Sequence, residues 1–412
     1  MHAPKNAPVS LCRSVLRAGW AASTLGAGFL LATLVAAVAR LGLTFEIWGW
    51  FGVLAGLLFY VLGLGWIVSH PASRQERLFL AVLHTTIVFG GLYVYFWLTG
   101  FVWTISVLGF VYGTALLWAL LVVLWASSRP WCVFATDALA EKLLPSKDPR
   151  VAWDLACSKA PTAYFSEFKT LSSDGAFRAC AELGVPIYHL WVAHEALLGR
   201  IPVRWLSERA ALLLEPPAFY TRLKRALDVF LVLLSVPLTF PFGLLIALLI
   251  KLDSPGPVLF VQTRVGQDGR PFLIYKFRTM RVEANGEAAK FATEEGDRVT
   301  RIGRILRKFR IDEVPQFINV LKGEMSLIGP RPEQEAFAKK FSETIPFYPY
   351  RHRVRPGITG WAQVMQGYAA SEEETRAKLE FDLFYVKNLS FSLDYLIFLK
   401  TIKTILTGFG AR

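Results

Sequence analysis

Four apolar stretches of membrane-spanning length open this chain, at residues 19–39, 48–69, 78–98 and 102–126. Each is close to the ~20 residues that a helix needs to cross a bilayer. Lys5, Arg13 and Arg17 precede the first, Arg74 and Arg77 lie between the second and third, and Arg129 follows the fourth. The first loop between runs holds Arg40 alone, and the third holds neither Lys nor Arg. That alternation puts both ends of a four-span bundle in the cytoplasm. Inside the runs, polar groups are few apart from His84 and scattered Ser and Thr. An ion path needs intramembrane charge, so the runs read as an anchor or assembly module rather than a transporter.

The formal charge is +13, of which the strongly apolar first 127 residues carry +4. A basic chain with so apolar a beginning suits anionic lipid and phosphate substrates, not nucleic acid. Cys12, Cys132, Cys157 and Cys180 show no metal spacing and read as free thiols in a reducing compartment. The six histidines form no ligand cluster.

Residues 128–218 are mixed in character. WCVFATDALAEKLL reads as strand then helix, DGAFRACAELG as a helix and LGVPIYHLWV as a strand. The turn FATD lacks the G-x-G-x-x-G that cradles a dinucleotide, so the expectation is a small, cofactor-free α/β module ending in the linker EPPAFY.

The chain then turns apolar again, without a charge from Val229 to Ile250. Pro237 and Pro241 lie mid-run, where each removes a helix hydrogen bond and bends the axis. The expectation is a hairpin that enters the bilayer, bends near the prolines and returns to the same face. In VLFVQTRVGQDGRPFLIYKFRTM, two apolar runs flank the turn GQDGRP, a β-hairpin signal, with Lys276 and Arg278 at the end of the second strand. Glu283–Arg298 reads as a polar loop.

Next comes RVTRIGRILRKFRIDEVPQFIN, Arg298 to Asn319. Ile302, Ile305, Leu306 and Phe309 share a helical face while Arg301, Arg304, Arg307 and Lys308 crowd the rest, a pattern that suits a membrane surface. Asp312 and Glu313 follow as an adjacent pair, then Pro315. Proline is tolerated in a first helical turn, so Asp312 reads as the N-cap of a new helix. Free backbone donors, the positive helix end and the guanidiniums of Arg307 and Arg310 would all favour its ionised form. A carboxylate so placed suits a nucleophile or a metal ligand; by itself the pair is also an ordinary cap with a solvated neighbour. Farther on, Arg331 is fixed between two prolines, a rigid turn suited to a phosphate. Arg351, Arg353 and Arg355 form a second basic turn, in which His352 reads as structural, and Trp361 reads as packing. LSFSLDYLIFLKTIKTILTGFG, with Lys400 and Lys403, reads as a last helix on the membrane surface.

RALDVFLVLLSVP, PGPVLFVQTRVG, YKFRTM, RIGRILRKFRIDEVPQFINVLKGEMSLIGPRP, RHRVRPGITGWAQV and LEFDLFYVKNLS resemble, in order, the bacterial sugar transferases of the monotopic phosphoglycosyltransferase superfamily. The four apolar runs and the α/β linker resemble its long members. The resemblance implies a membrane protein of three parts. Residues 1–127 would form a four-helix transmembrane bundle, 128–218 a truncated, Rossmann-like α/β linker, and 219–412 a mixed α/β catalytic domain with a re-entrant membrane helix and interfacial amphipathic helices. It further implies Mg²⁺-dependent transfer of a sugar-1-phosphate from a UDP-sugar, glucose or galactose, to undecaprenyl phosphate. The transfer would pass through a covalent aspartyl-phosphosugar and release UMP. The product would start exopolysaccharide, capsule or O-antigen synthesis at the cytoplasmic face of the bacterial inner membrane. Downstream glycosyltransferases are the implied partners, and a homodimer is compatible with the family.

Carried onto this chain, the nucleophile is Asp312, with Glu313 its partner and both of them Mg²⁺ ligands. Arg307 falls on a lipid-phosphate position and Arg331 on the Pro-Arg-Pro motif. Arg310, Lys276, Arg278, Arg353 and Arg355 complete the basic surround. One departure is local: Phe240, not Ser, precedes Pro241, so a hydroxyl that satisfies the broken backbone would come from Ser235 or Thr239. An inactive scaffold for polysaccharide assembly and an ordinary glycosyltransferase are the competing readings. The intact acid pair argues against the first and the missing Asp-x-Asp against the second.

Overall fold

The computed structural model describes residues 47–69, 74–99, 104–128, 163–165, 187–189, 195, 198–212, 214–281, 299–366 and 371–407. The chain divides into two compact units, Met1–Gly199 and Arg200–Arg412.

In the first unit, the second, third and fourth apolar runs form helices α1 (Ile47–Ser69), α2 (Arg74–Leu98) and α3 (Thr104–Ser128). The first run lies outside the described residues. The three helices share a core of Tyr60, Leu64, Ala81, Val88, Phe89 and Ala115 among others. Polar side chains inside it bond to helix carbonyls. The Tyr60 hydroxyl donates to the Ala115 carbonyl at 2.7 Å, and His84 Nε2 lies 3.0 Å from the Tyr60 carbonyl. Leu58, Trp97, Phe110 and Leu117 are exposed on the outside. Helices apolar inside and out belong in a membrane or a large core, and Gln75–Leu98 is long and apolar enough to cross a bilayer. Strands β1 (Ala163–Phe165) and β2 (Ile187–His189) pair in parallel, as an α/β module requires. β2 falls within the expected LGVPIYHLWV strand, whereas the reading did not anticipate β1. WCVFATDALAEKLL and DGAFRACAELG lie outside the described residues.

The second unit begins at Arg200, ahead of the expected 219. Its first residues are tied to the rest of the unit, for Ile201 N–H donates to the Glu380 carbonyl at 3.0 Å and Val203 N–H to Glu380 Oε1 at 3.1 Å. Helix α4 (Ala218–Asp253) then runs for 36 residues, helical through both prolines, rather than breaking into a turn. Both of its arms pack on the same body. Val232 meets Phe272, Ile274, Val320 and Met325, and Ile246 and Ile250 meet Phe277 and Leu306. Between the arms, Val236, Leu238, Phe240 and Phe242 are exposed. Pro237 and Pro241 leave the carbonyls of Leu233 and Pro237 without their usual donors. The expected hydroxyl rescue is not made. Ser235 Oγ donates to the Val232 carbonyl at 2.7 Å and Thr239 Oγ1 to that of Ser235 at 2.9 Å. Back-bonds of this kind bend helices.

Strands β3 (Leu259–Val265) and β4 (Pro271–Phe277) form the expected antiparallel hairpin, with Leu259 opposite Phe277 and Val265 opposite Pro271. Helix α5 (Arg301–Lys308) is capped by Thr300, whose hydroxyl accepts from Gly303 N–H at 3.0 Å. Its apolar face divides. Leu306 and Ile302 join the cluster around Phe277, while Ile305 and Phe309 stay exposed. A Cβ on Gly303 would sit 2.1 Å from the Thr279 carbonyl oxygen, so only glycine allows α5 to lie this close to the end of β4. A 3₁₀ turn (Ile311–Glu313) leads into α6 (Gln316–Lys322).

Beyond it, β5 (Ser326–Ile328) and β6 (Gly357–Thr359) pair in parallel, surrounded by α7 (Glu335–Thr344), α8 (Trp361–Met365), α9 (Glu372–Lys387) and α10 (Phe391–Thr407). The last helix buries one face, while Phe391, Phe398 and Leu406 on it are exposed. Leu393, Leu396, Ile397, Leu399 and Lys400 are all buried, and the Lys400 ammonium lies 5.5 Å from the centre of the Trp361 ring. An aromatic face accommodates a cation that the sequence pattern assigns to solvent. Trp361 itself is core, as expected.

Candidate active site

The acid pair lies where α5 gives way to α6. Arg310 takes a left-handed conformation, φ 55°, and turns the chain into the 3₁₀ segment that carries Asp312 and Glu313. Asp312 is therefore not the expected N-cap. Val314 (φ −55°, ψ −39°) and Pro315 (φ −61°, ψ −16°) already follow a helical path, and Pro315 occupies the cap position without a side-chain bond. A capping carboxylate needs extended backbone, which Asp312, inside the turn, does not have.

Glu313 is buried. Its Oε1 accepts from Arg331 Nη1 at 2.9 Å and from Lys276 Nζ at 3.1 Å. Arg310 Nη1 lies 3.8 Å from Oε2, which is itself buried and has no hydrogen-bond partner. Burial alone would raise the Glu313 pKa, but Arg331, Lys276 and Arg310 outweigh it and hold the carboxyl at about 2. Asp312 goes the other way. Burial, then the Glu313 charge, raises it above the ordinary carboxylate range, against the pull of Lys276, Arg331 and Arg307. This reverses the expectation that Asp312 is the group held charged. The cations gather on Glu313, and a second negative charge beside it is disfavoured. The result is two adjacent carboxyls within a cationic surround, with the Glu313 pKa lowered and that of Asp312 raised.

The predicted cations separate into two groups. Lys276, Arg310 and Arg331 meet Glu313. Arg307 donates from Nε to Thr279 Oγ1 at 2.9 Å, with its charge felt at Asp312. Arg278, Arg353 and Arg355, expected around the site, are engaged elsewhere. Arg278 donates to the Ser254 carbonyl at 2.6 Å and the Pro255 carbonyl at 3.0 Å, and so joins the end of α4 to β4. Arg353 donates to the Leu214 carbonyl at 3.2 Å and lies 4.2 Å from the centre of the Tyr350 ring. Arg355 Nε donates to the Gly323 carbonyl at 3.0 Å, just past α6. Carbonyls at helix ends and turns lack backbone donors, and a guanidinium fork supplies them.

Other contributors escaped the sequence reading. Arg351 is buried beneath the Pro-Arg-Pro turn. Glu333 accepts from Lys378 at 2.5 Å and is held at about 2; burial opposes ionisation there, but Lys378, Arg351 and Arg264 prevail. Asn319, fully buried, donates to the Leu273 carbonyl at 2.7 Å and accepts from Tyr275 N–H at 3.1 Å, which locks α6 onto β4 next to Lys276. An Asn inside the apolar run FINVL is the signal that could have found it. Burial and then the Arg351 charge lower His352 to about 3, and its ring lies edge-on to that of Tyr348 with 5.9 Å between centroids.

Among the described residues, no group of three or more His, Cys, Asp or Glu side chains could hold a metal ion. Mg²⁺ takes one or two carboxylates and completes its shell with water and substrate phosphate. Asp312 and Glu313, with Glu313 Oε2 buried and bare of hydrogen bonds, fit that smaller requirement.

Residues 219–408 match the family model described as bacterial sugar transferase. A UDP-N-acetylgalactosamine-undecaprenyl-phosphate N-acetylgalactosaminephosphotransferase of Aeromonas hydrophila is 53% identical over 233 residues, 57% of this chain and 55% of its own length. A UDP-glucose:undecaprenyl-phosphate glucose-1-phosphate transferase of Caulobacter vibrioides is 47% identical over 186 residues, 45% of this chain and 70% of its own. An exopolysaccharide production protein of Rhizobium leguminosarum is 44% identical over 191 residues, 45% of this chain and 96% of its own. The chain thus spans about half the length of its Aeromonas relative.

Proposed function

Because the chain belongs to the bacterial sugar transferase family, we propose that it moves a sugar-1-phosphate from a UDP-sugar to undecaprenyl phosphate. The observation that carries this reading is the adjacent pair of carboxyls, with Glu313 ringed by Lys276, Arg310 and Arg331. Once Asp312 has lost its proton, one of its oxygens attacks the sugar-bearing phosphorus. The bond from that phosphorus to the bridging oxygen breaks, and UMP leaves. An oxygen of undecaprenyl phosphate then attacks the same phosphorus and expels the Asp312 carboxylate, giving undecaprenyl-diphosphate-sugar. Two steps let a water-soluble donor and a lipid acceptor react in turn at one place. Arg331, Lys276 and Arg307 would orient the phosphates and offset their charge. Mg²⁺, when held by Asp312 and Glu313, would supply further charge compensation at the phosphoryl oxygens.

The Aeromonas relative's name adds N-acetylgalactosamine to the glucose and galactose expected from the resemblance. The test is a panel of UDP-N-acetylgalactosamine, UDP-glucose and UDP-galactose with undecaprenyl phosphate and the membrane-reconstituted protein. UMP release with one of them, stopped by EDTA and restored by Mg²⁺, is the expected result. UDP as the product would mean sugar transfer, and neither nucleotide would mean a scaffold. A rate that ignores EDTA would remove the metal from the scheme.

We place the acid pair at the cytoplasmic face of the inner membrane, with α4 entering the bilayer and returning. Both arms of α4 meet one body, and its middle is exposed and apolar, which supports that insertion. Cysteines introduced at Arg222 and Lys251 should both react with an impermeant maleimide from the cytoplasmic side. Reaction from opposite sides would make α4 a full crossing.

A further inference from the structure

We propose that Arg351 is a positioning residue for Arg331, a role that rests on Glu313 and Arg331 belonging to the active site. Arg331 reaches Glu313 with a side chain that is 36% exposed. Its backbone is a different matter. Arg351 Nη2 donates to the Arg331 carbonyl at 2.9 Å. That guanidinium is held on its other edges, by Asp382 Oδ2 at 3.0 Å from Nε and by the Tyr348 hydroxyl at 2.9 Å from Nη1. The Arg351 and Asp382 side chains are each 2% exposed. One buried fork therefore joins α9, the Tyr348–Arg353 segment and the Pro-Arg-Pro turn.

The neighbours of Arg331 are pinned as well. Gly329 N–H donates to the Thr359 carbonyl at 2.8 Å, and the Pro330 carbonyl accepts from Gly357 N–H at 2.9 Å. Pro330 and Pro332 carry no N–H, so carbonyls are what this turn offers for anchoring. Arg351 supplies the anchor at the residue whose side chain meets Glu313. Arg331 makes the shortest of the cation contacts to Glu313, 2.9 Å from Nη1 to Oε1. Arg351 thus governs the Glu313 environment without touching it. A lysine at 351 would keep the charge opposite Asp382 but lose the planar fork that spans all three acceptors.

The test is a double-mutant cycle on UMP release: wild type, Arg331→Lys, Arg351→Lys and the double variant, with melting temperature recorded for each. Small displacements of a positioned group cost up to about 100-fold in rate. Arg351→Lys should lower kcat by about 10-fold or more with donor KM little changed, and should cost less than about 2-fold once Arg331 is already lysine. The same factor lost in both backgrounds would make Arg351 merely structural and overturn the proposal, as would an unchanged kcat. Should Arg351→Lys fail to fold, Asp382→Asn, which weakens the anchor but leaves the fork, enters the cycle with the same expectation. A wild type that releases no UMP would count against the transferase reading, whereas an additive cycle counts against this inference alone.

Discussion

Asp312→Asn should lose turnover by at least about 10⁴-fold in UMP release, on the scale of other removed nucleophiles, while the protein keeps its fold. Asp312 is half-buried in a one-turn 3₁₀ segment, and the cations of the site hydrogen-bond to Glu313 rather than to it. An amide of the same shape disturbs none of those bonds, so an activity loss without a change in melting temperature isolates its chemistry. The pH dependence carries a second signature. In the proposed mechanism the attacking form is the carboxylate, and burial with the Glu313 charge raises the Asp312 pKa. The rate should therefore rise with pH through that raised value, with no matching limb from Glu313, which at about 2 is already ionised. Glu313→Gln removes the negative neighbour and leaves Lys276 and Arg331 unopposed. The acid limb should then move to lower pH, even as the maximal rate falls. Near-normal turnover in Asp312→Asn, or an acid limb unmoved in Glu313→Gln, would remove Asp312 from the nucleophile's role.

Asp394→Ala should destabilise the second unit by about 3–5 kcal/mol. Asp394 is buried on α10 and accepts from the Tyr220 hydroxyl and Lys224 Nζ, each at 2.7 Å, and from the Tyr385 hydroxyl at 2.8 Å. Removing it strands a buried ammonium, because the remaining anion, Asp228, is 3.9 Å from Lys224 and already accepts from Ser326 Oγ at 2.7 Å. The network ties the start of α4 to α9, α10 and β5. For a unit of this size, the loss corresponds to a melting temperature lower by roughly 6–20 °C. Asp394→Asn, which keeps an acceptor oxygen, should cost less. A shift of under a degree for the alanine variant would mean that the buried charges are balanced elsewhere.

Much of this architecture was legible from local pattern. Two apolar runs around GQDGRP specify the β3–β4 hairpin, and the acid pair, the Pro-Arg-Pro turn and the basic α5 stand out by composition. What escaped the reading depends on partners distant in the chain. Lys276 lies 37 residues before Glu313 and Arg331 lies 18 after it, so no local rule assigns their charge to Glu313 rather than Asp312. The arginines of RHRVR look alike in sequence, yet Arg351 is buried in the fork while Arg353 and Arg355 satisfy loop carbonyls. Lys400 looked like a solvent-facing cation because periodicity says nothing of a tryptophan ring 39 positions earlier waiting beneath it.

The Glu313–Arg331–Lys276 contact has a consequence for what can enter. On the proposed reaction, the Glu313 carboxylate occupies donors that the diphosphate of a UDP-sugar would want. A newcomer must compete with an anion built into the wall. A weakly held one, such as free inorganic phosphate, gains little by exchanging places, whereas a donor gripped also through its nucleoside and sugar can drive the swap. On that reading, selectivity against bare anions follows from the contacts that Glu313 already makes.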